Sequence, residues 1–195
     1  MDLIKATDFV VNKLKNNLDS RLYYHNVNHT LDVVSSAKKI AKTENINDYE
    51  TSILLVAALF HDTGFMFAYK GHEKESVKFA EDNLPKFGYS EKDISKISKL
   101  ILATEITTQP TTKLEKIICD ADLYYLGRSD FSEISNNLFK EWKAYNFVDT
   151  QKEWYKLQIV FFNNHFYHIP SVNKLHEIQK QANFLKIENY YNTIK

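Results

Sequence analysis

Apolar residues recur at the three- and four-residue spacing of a helix face along almost the whole chain. Leu3, Ile4, Val10, Val11, Leu14 and Leu18 form one stripe, and Leu31, Val34, Ala37 and Ala41 a second. Ile94, Ile97, Leu100 and Ile101 form a third, and Leu114, Ile117, Ile118, Ala121 and Tyr125 a fourth. From Ile53 to Phe60 every position is apolar, as in a buried helix. Polar residues with capping chemistry precede several of these stretches: Asn47 with Glu50, Thr112 with Glu115, Asp130 with Glu133 and Thr150 with Glu153. Breaks fall at Pro85 to Gly88, around Pro110 and at Pro170. The pattern predicts eight or nine helices, near 3–18, 28–43, 47–62, 72–84, 90–104, 113–126, 130–145, 150–167 and 171–190. The expected fold is all-α.

Composition narrows the picture further. Four glycines and three prolines are too few for the many tight turns of a β-sandwich or barrel. A chain of 195 residues with no linker-like stretch and no internal repeat is expected to form one domain, a compact helical bundle over 1–195. Lys plus Arg and Asp plus Glu both number 25, so no net field draws nucleic acid or an anionic membrane. The longest apolar run, at eight residues, is far short of the roughly 20 that span a bilayer. The single cysteine, Cys119, excludes a disulfide framework, and Met1-Asp2-Leu3-Ile4-Lys5 lacks the features of a signal peptide. These readings point to a cytoplasmic protein.

Four short segments carry candidate chemistry. In Tyr24-His25-Asn26-Val27-Asn28-His29 two imidazoles sit four apart, which on a helix would place them on one face. Ala58-Leu59-Phe60-His61-Asp62-Thr63-Gly64 sets a His beside an Asp at the end of the apolar run. Such a pair at the end of a buried helix is costly unless something binds both, and a metal ion would. Gly71-His72 opens a predicted helix, and Cys119-Asp120-Ala121-Asp122 places two acids near the end of another. Adjacent acids two apart diverge by about 200°, so only one is expected to face inward. Projected on its stripe, Asp122 lies about 80° from the centre and Asp120 about 120°, which favours Asp122.

The order His29, His61-Asp62, Asp122 resembles the HD superfamily of metal-dependent phosphohydrolases, over roughly residues 20–130. Tyr24-His25-Asn26-x-x-His29 is also similar to a motif of cyclic-nucleotide phosphodiesterases in the same broad group. The resemblance implies an HD-type core over about 20–130 with the C-terminal helices of 130–195 packed on it. It implies that His29, His61, Asp62 and Asp122 bind a divalent metal. His25 then corresponds to the proton donor, and His72 to a residue reaching a second metal or the phosphate. Many members carry a further His where this chain has Ala103-Thr104-Glu105, which leaves Glu105 as an oxygen donor for a second ion.

Two imidazoles and two carboxylates suit Mn, Fe, Co, Ni or Zn, with Mg at a second position. A metal there lowers the pKa of water and supplies hydroxide at neutral pH. The resemblance therefore implies hydrolysis of a phosphate mono- or diester, with a nucleotide as the favoured small-molecule substrate. An oxygen-using di-iron member of the superfamily and a catalytically silent metal- or nucleotide-binding module are the alternatives. Arg21 and Arg128, the only arginines, flank the motifs and are candidates to grip an anion, as is Lys70. The apolar, aromatic segment Phe65 to Gly71 is read chiefly as core, with a wall or lid against a base as the alternative. His165 and His168 are read as packing residues at a helix end, His176 as solvated, and Trp142 and Trp154 as core or a homodimer face.

Overall fold

The computed structural model describes residues 1–194, and among them the only regular elements are helices and short 3-10 turns. The α-helices are α1 (Leu3–Asn17), α2 (Val27–Thr43), α3 (Asp48–Phe60), α4 (His72–Asn83), α5 (Glu91–Ala103), α6 (Lys113–Asp122), α7 (Phe131–Ala144), α8 (Gln151–Asn164) and α9 (Pro170–Thr193). The chain divides into two compact units. One comprises Met1–Asp19 with His25–Asp122, and the other Ser20–Tyr24 with the chain from Leu123 onward.

In the first unit α3 is the axis. Every residue from Ile53 to Phe60 is buried, because α1, α2, α5 and α6 pack around it. The stripes of the flanking helices supply the other side of this core: Val10 and Leu14 from α1, Val33, Ala37 and Ile40 from α2, Ile97 and Ile101 from α5, Ile117 and Ile118 from α6. Asn47 caps α3 by accepting from the Glu50 amide, and Thr112 caps α6 by accepting from the Glu115 amide while Glu115 accepts back from Thr112. Ser90 and Asp93 form a further capping box at the start of α5.

Three helices stop two or more residues earlier than their apolar pattern predicts. α3 ends at Phe60 rather than 62, α6 at Asp122 rather than 126, and α8 at Asn164 rather than 167. In the first two the chain tightens into 3-10 turns, Thr63–Met66 and Tyr124–Gly127. Apolar spacing does not separate the two, because a tight turn keeps side chains on much the same face.

In the second unit Tyr24, Tyr125, Leu126, Phe131, Phe162 and Ile187 form the core cluster. Glu141 is wholly buried there, and one of its oxygens accepts from the Tyr24 amide at 2.8 Å. Thr150 and Glu153 form the expected capping box on α8. Asp130 makes no cap hydrogen bond and instead pairs with Arg128. His165 and His168 pack on Phe161 and Phe166 as expected, and Trp154 is buried against Trp142. His176 is not solvated. It is buried, its Nδ1 lies 2.8 Å from the Gly127 carbonyl, and its ring meets Tyr124 edge to face at 4.1 Å. Gly127 lacks a Cβ for a local reason: one would sit 2.4 Å from the His176 Cβ.

Candidate metal centre

Three helix ends bring the chemistry together in the first unit. His29 lies in the first turn of α2, His61 and Asp62 directly follow α3, and Asp122 is the last residue of α6. α2 and α6 both pack on α3, which is why residues so far apart in sequence meet.

The turn after α3 is fixed by a dense set of hydrogen bonds. The Ser76 hydroxyl donates to the His61 carbonyl at 2.6 Å and accepts from the Gly64 amide at 2.8 Å. Thr63 donates to the Phe60 carbonyl, and His61 Nδ1 lies 2.8 Å from the Ala58 carbonyl. Ser76 therefore holds the His–Asp doublet from α4, a role the sequence signals only by placing a serine four residues after His72 on the same helix face. A Cβ on Gly64 would lie 1.8 Å from the His72 carbonyl oxygen, so α4 packs where only glycine fits. Gly64→Ala is expected to cost at least the ~1–3 kcal/mol of core overpacking. Gly71→Ala faces no steric contact and only left-handed backbone at φ 72°, so it should lower the melting temperature less. Thermal melts of the two variants, side by side, check the order.

At the centre the His29 Nε2 lies 3.2 Å from Asp62 Oδ2 and 3.1 Å from Asp122 Oδ1. The His61 Nε2 lies 3.1 Å and 3.5 Å from the same two oxygens. His29, His61 and Asp122 each offer a ligand atom within 4.8 Å of the others. With His61 Nδ1 turned to a backbone carbonyl, its Nε2 carries the lone pair of the neutral ring and faces carboxylate oxygens, themselves lone-pair donors. His61 Nε2 and Asp62 Oδ2 are buried with no hydrogen-bond partner. Lone pairs converging on a buried point are stable only around a cation, either protons on the imidazoles or a metal ion. The separations fit a metal: bonds of ~2.0–2.1 Å to neighbouring ligands set those ligands roughly 3.0–3.4 Å apart.

Titration follows from the same contacts. Burial alone would lower the pKa of His29, but Asp122 and Asp62 outweigh it and raise it to about 9. Burial works against His61 too, and Asp62 and Asp122 again win, holding it well above the ordinary imidazole value. Burial would raise Asp62, yet His61, His29 and His72 keep it well below the usual carboxylate range. Asp122 is held down in the same way by His29 and His61.

Two further imidazoles border this cluster. His72 opens α4 with its Nε2 3.4 Å from Asp62 Oδ1 and 3.6 Å from Glu73 Oε1. His25 reaches the His29 ring edge at 5.7 Å between centroids, although not as a helical neighbour. Asn26 caps α2 by accepting from the amides of Asn28 and His29, so His25 stands outside the helix. The structure corrects the expectation that one acid alone faces inward: Asp120 is buried at 1% exposure, and only Asp122 joins the cluster.

Glu105 is exposed beyond the end of α5 and joins no group of candidate ligands among the described residues. Arg128 pairs through its Nε and guanidinium with Asp130, and Arg21 lies 4.6 Å from the Tyr145 ring, both within the second unit. Lys70 is exposed in the turn before α4. Cys119, a free thiol, donates to the Ala103 carbonyl, and burial followed by the charges of Asp122 and Asp120 pushes its pKa up to about 12.

The family model described as HD domain matches residues 26–126, just over half of the chain. Among solved structures the chain is similar to a predicted HD superfamily hydrolase from an uncultured Thermotogales bacterium. That likeness has a TM-score of 0.63 at 18% identity, over 95% of this chain and 91% of the other. At that identity it speaks for the shared fold. No curated protein is significantly similar. Among the described residues no helix is long and apolar enough to cross a membrane.

Proposed function

Since the chain belongs to the HD domain family, we propose that it is a metal-dependent phosphohydrolase, cleaving a phosphate mono- or diester of a nucleotide. The observation that carries the reading is the convergence of His29, His61, Asp62 and Asp122 on one buried point, with two more imidazoles at its border. His29, His61 and Asp122 would hold a divalent ion of the Mn, Fe, Co, Ni or Zn class, with Asp62 beside them. When bound, such an ion supplies hydroxide at neutral pH and neutralises charge on the phosphoryl oxygens.

The chain's own groups do the rest. Asp62, between three imidazoles, fixes the orientation of His29 and His61 and touches His72. His72, part-buried with its Nδ1 3.2 Å from the Tyr69 carbonyl, has its Nε2 directed to the cluster, where it can hold a phosphoryl oxygen or a proton. His25 lies outside the ligand group but against His29, the place for an imidazole that gives a proton to the leaving alkoxide. Cys119 is a part-buried free thiol, in keeping with a reducing, cytoplasmic setting.

The test is elemental analysis of purified protein together with hydrolysis of a mono- and a di-ester nitrophenyl phosphate, before and after chelation. Bound metal, turnover lost on chelation and restored by adding one of these ions, is the expected result. The preferred ester separates phosphatase from phosphodiesterase action. Protein that neither retains nor takes up a divalent ion would end the reading.

A further inference from the structure

Between His25 and His72 stands the ring of Phe65. It lies 4.3 Å from the His25 ring at an interplanar angle of 25°, and 3.9 Å from the His72 ring at 20°. Both are stacked contacts, whereas His25 and His72 themselves are 6.3 Å apart and tilted at 44°. Tyr69 closes the edge of the group, 5.1 Å from Phe65 at 77°. The three stacked rings come from three segments: His25 from the chain before α2, Phe65 from the turn after α3, and His72 from the start of α4.

Phe65 is itself tied to the candidate metal centre. It is 7% exposed, and its amide donates to the Asp62 carbonyl at 3.1 Å. Its ring position is thus set by the turn that carries Asp62, and that turn by Ser76. Asn26 starts α2 only after His25, so the helix does not fix the His25 ring. An imidazole stacked face to face at about 4 Å loses freedom about its χ angles.

We propose that Phe65 is a positioning residue: its two faces hold the His25 and His72 rings in register with the metal ligands, so that a proton reaches the leaving oxygen. The inference rests on the phosphohydrolase reading. Proton transfer needs heavy atoms within roughly 2.6–3.2 Å, and a misplacement near 1 Å can cost on the order of 100-fold. Leucine at 65 keeps apolar bulk without a flat face, and tyrosine keeps the ring.

Phe65→Leu and Phe65→Tyr are compared with wild type on an alkyl phosphate and on a nitrophenyl phosphate, with metal content measured for each. Nitrophenolate departs without a proton, and an alkoxide does not. Phe65→Leu is expected to keep its metal and to lose roughly 10–100-fold in kcat on the alkyl ester, with KM changed little. Its loss on the nitrophenyl ester is expected to be far smaller, and Phe65→Tyr is expected to retain most of the alkyl-ester rate. Equal losses on both esters, or loss of metal, would overturn the inference.

Proton NMR of the imidazoles gives a reading that turnover does not enter. The His25 and His72 ring protons should be shifted upfield by Phe65 in wild type and in Phe65→Tyr, and should move back in Phe65→Leu. Unchanged shifts in Phe65→Leu would overturn the positioning. A wild type inert towards both esters, with and without added metal, would sink the phosphohydrolase reading instead, and the NMR comparison would then decide alone whether Phe65 holds the rings.

Discussion

Asp62→Ala is expected to yield folded protein without bound divalent metal and without metal-dependent turnover. Asp62 is in contact with His29, His61 and His72 at once, at 3.2, 3.1 and 3.4 Å. Its removal takes away a candidate ligand and also the charge that orients two others. Substitutions one shell out from a metal cost about 10–100-fold in affinity, and this one should cost more. Folding should survive, because Asp122 still lies 3.1 Å from the His29 Nε2 and 3.5 Å from the His61 Nε2 as their carboxylate partner. The α3 core from Ile53 to Phe60 is untouched. Elemental analysis and circular dichroism of the two proteins, prepared together, check both halves. A variant that keeps its metal would remove Asp62 from the centre, and one that fails to fold would make its role structural.

Metal and pH should be linked through the same residues, with a definite sign. In metal-free protein His29 has its pKa raised from 6.5 to about 9. A raised folded-state value stabilises fully below 6.5, and that stabilisation is lost as pH rises through about 9. Asp62 and Asp122 have lowered values, so their contribution is present above the ordinary carboxylate range and is lost below it, as pH falls to those lowered values. Metal-free protein should therefore be most stable in mildly acid solution and weaken towards pH 9. A metal ion needs the imidazoles neutral, so its binding releases protons and strengthens as pH rises. At 100 times its dissociation constant an ion adds about 2.7 kcal/mol, worth roughly 5–10 °C for a chain of this size. Melting curves from pH 6 to 9.5, with chelator and with Mn or Zn, should diverge upwards in pH. Parallel curves would mean that the ion does not sit among these imidazoles.

Much of this protein is readable from its residues in order. The apolar stripes, the capping pairs at Asn47, Thr112 and Thr150, and the scarcity of glycine place nine α-helices among the described residues to within a few positions at each end. They do so because helix formation is decided by side chains three and four apart. The motif residues His29, His61, Asp62, Asp122, His25 and His72 are likewise legible, since each stands at a helix end or a glycine break. What pattern misjudged is equally specific. Asp120 lies off the centre of its stripe and is buried all the same, because α6 is covered on more than one side. His176 sits on a polar-looking helix and is buried because Gly127 lets the chain approach it closely.

The sequence alone determined which residues could bear the chemistry and which helices would carry them, since both are local properties. Tertiary structure decided which of them meet. The buried α3 gathers the ends of α2 and α6 on one point, the Ser76 hydroxyl fixes the turn that aims His61 and Asp62, and Phe65 lies flat between two imidazoles. Distances, shifted titrations and ring stacking arise only when segments distant in sequence are packed together, because electrostatic and dispersion forces act through space and fall off steeply with separation.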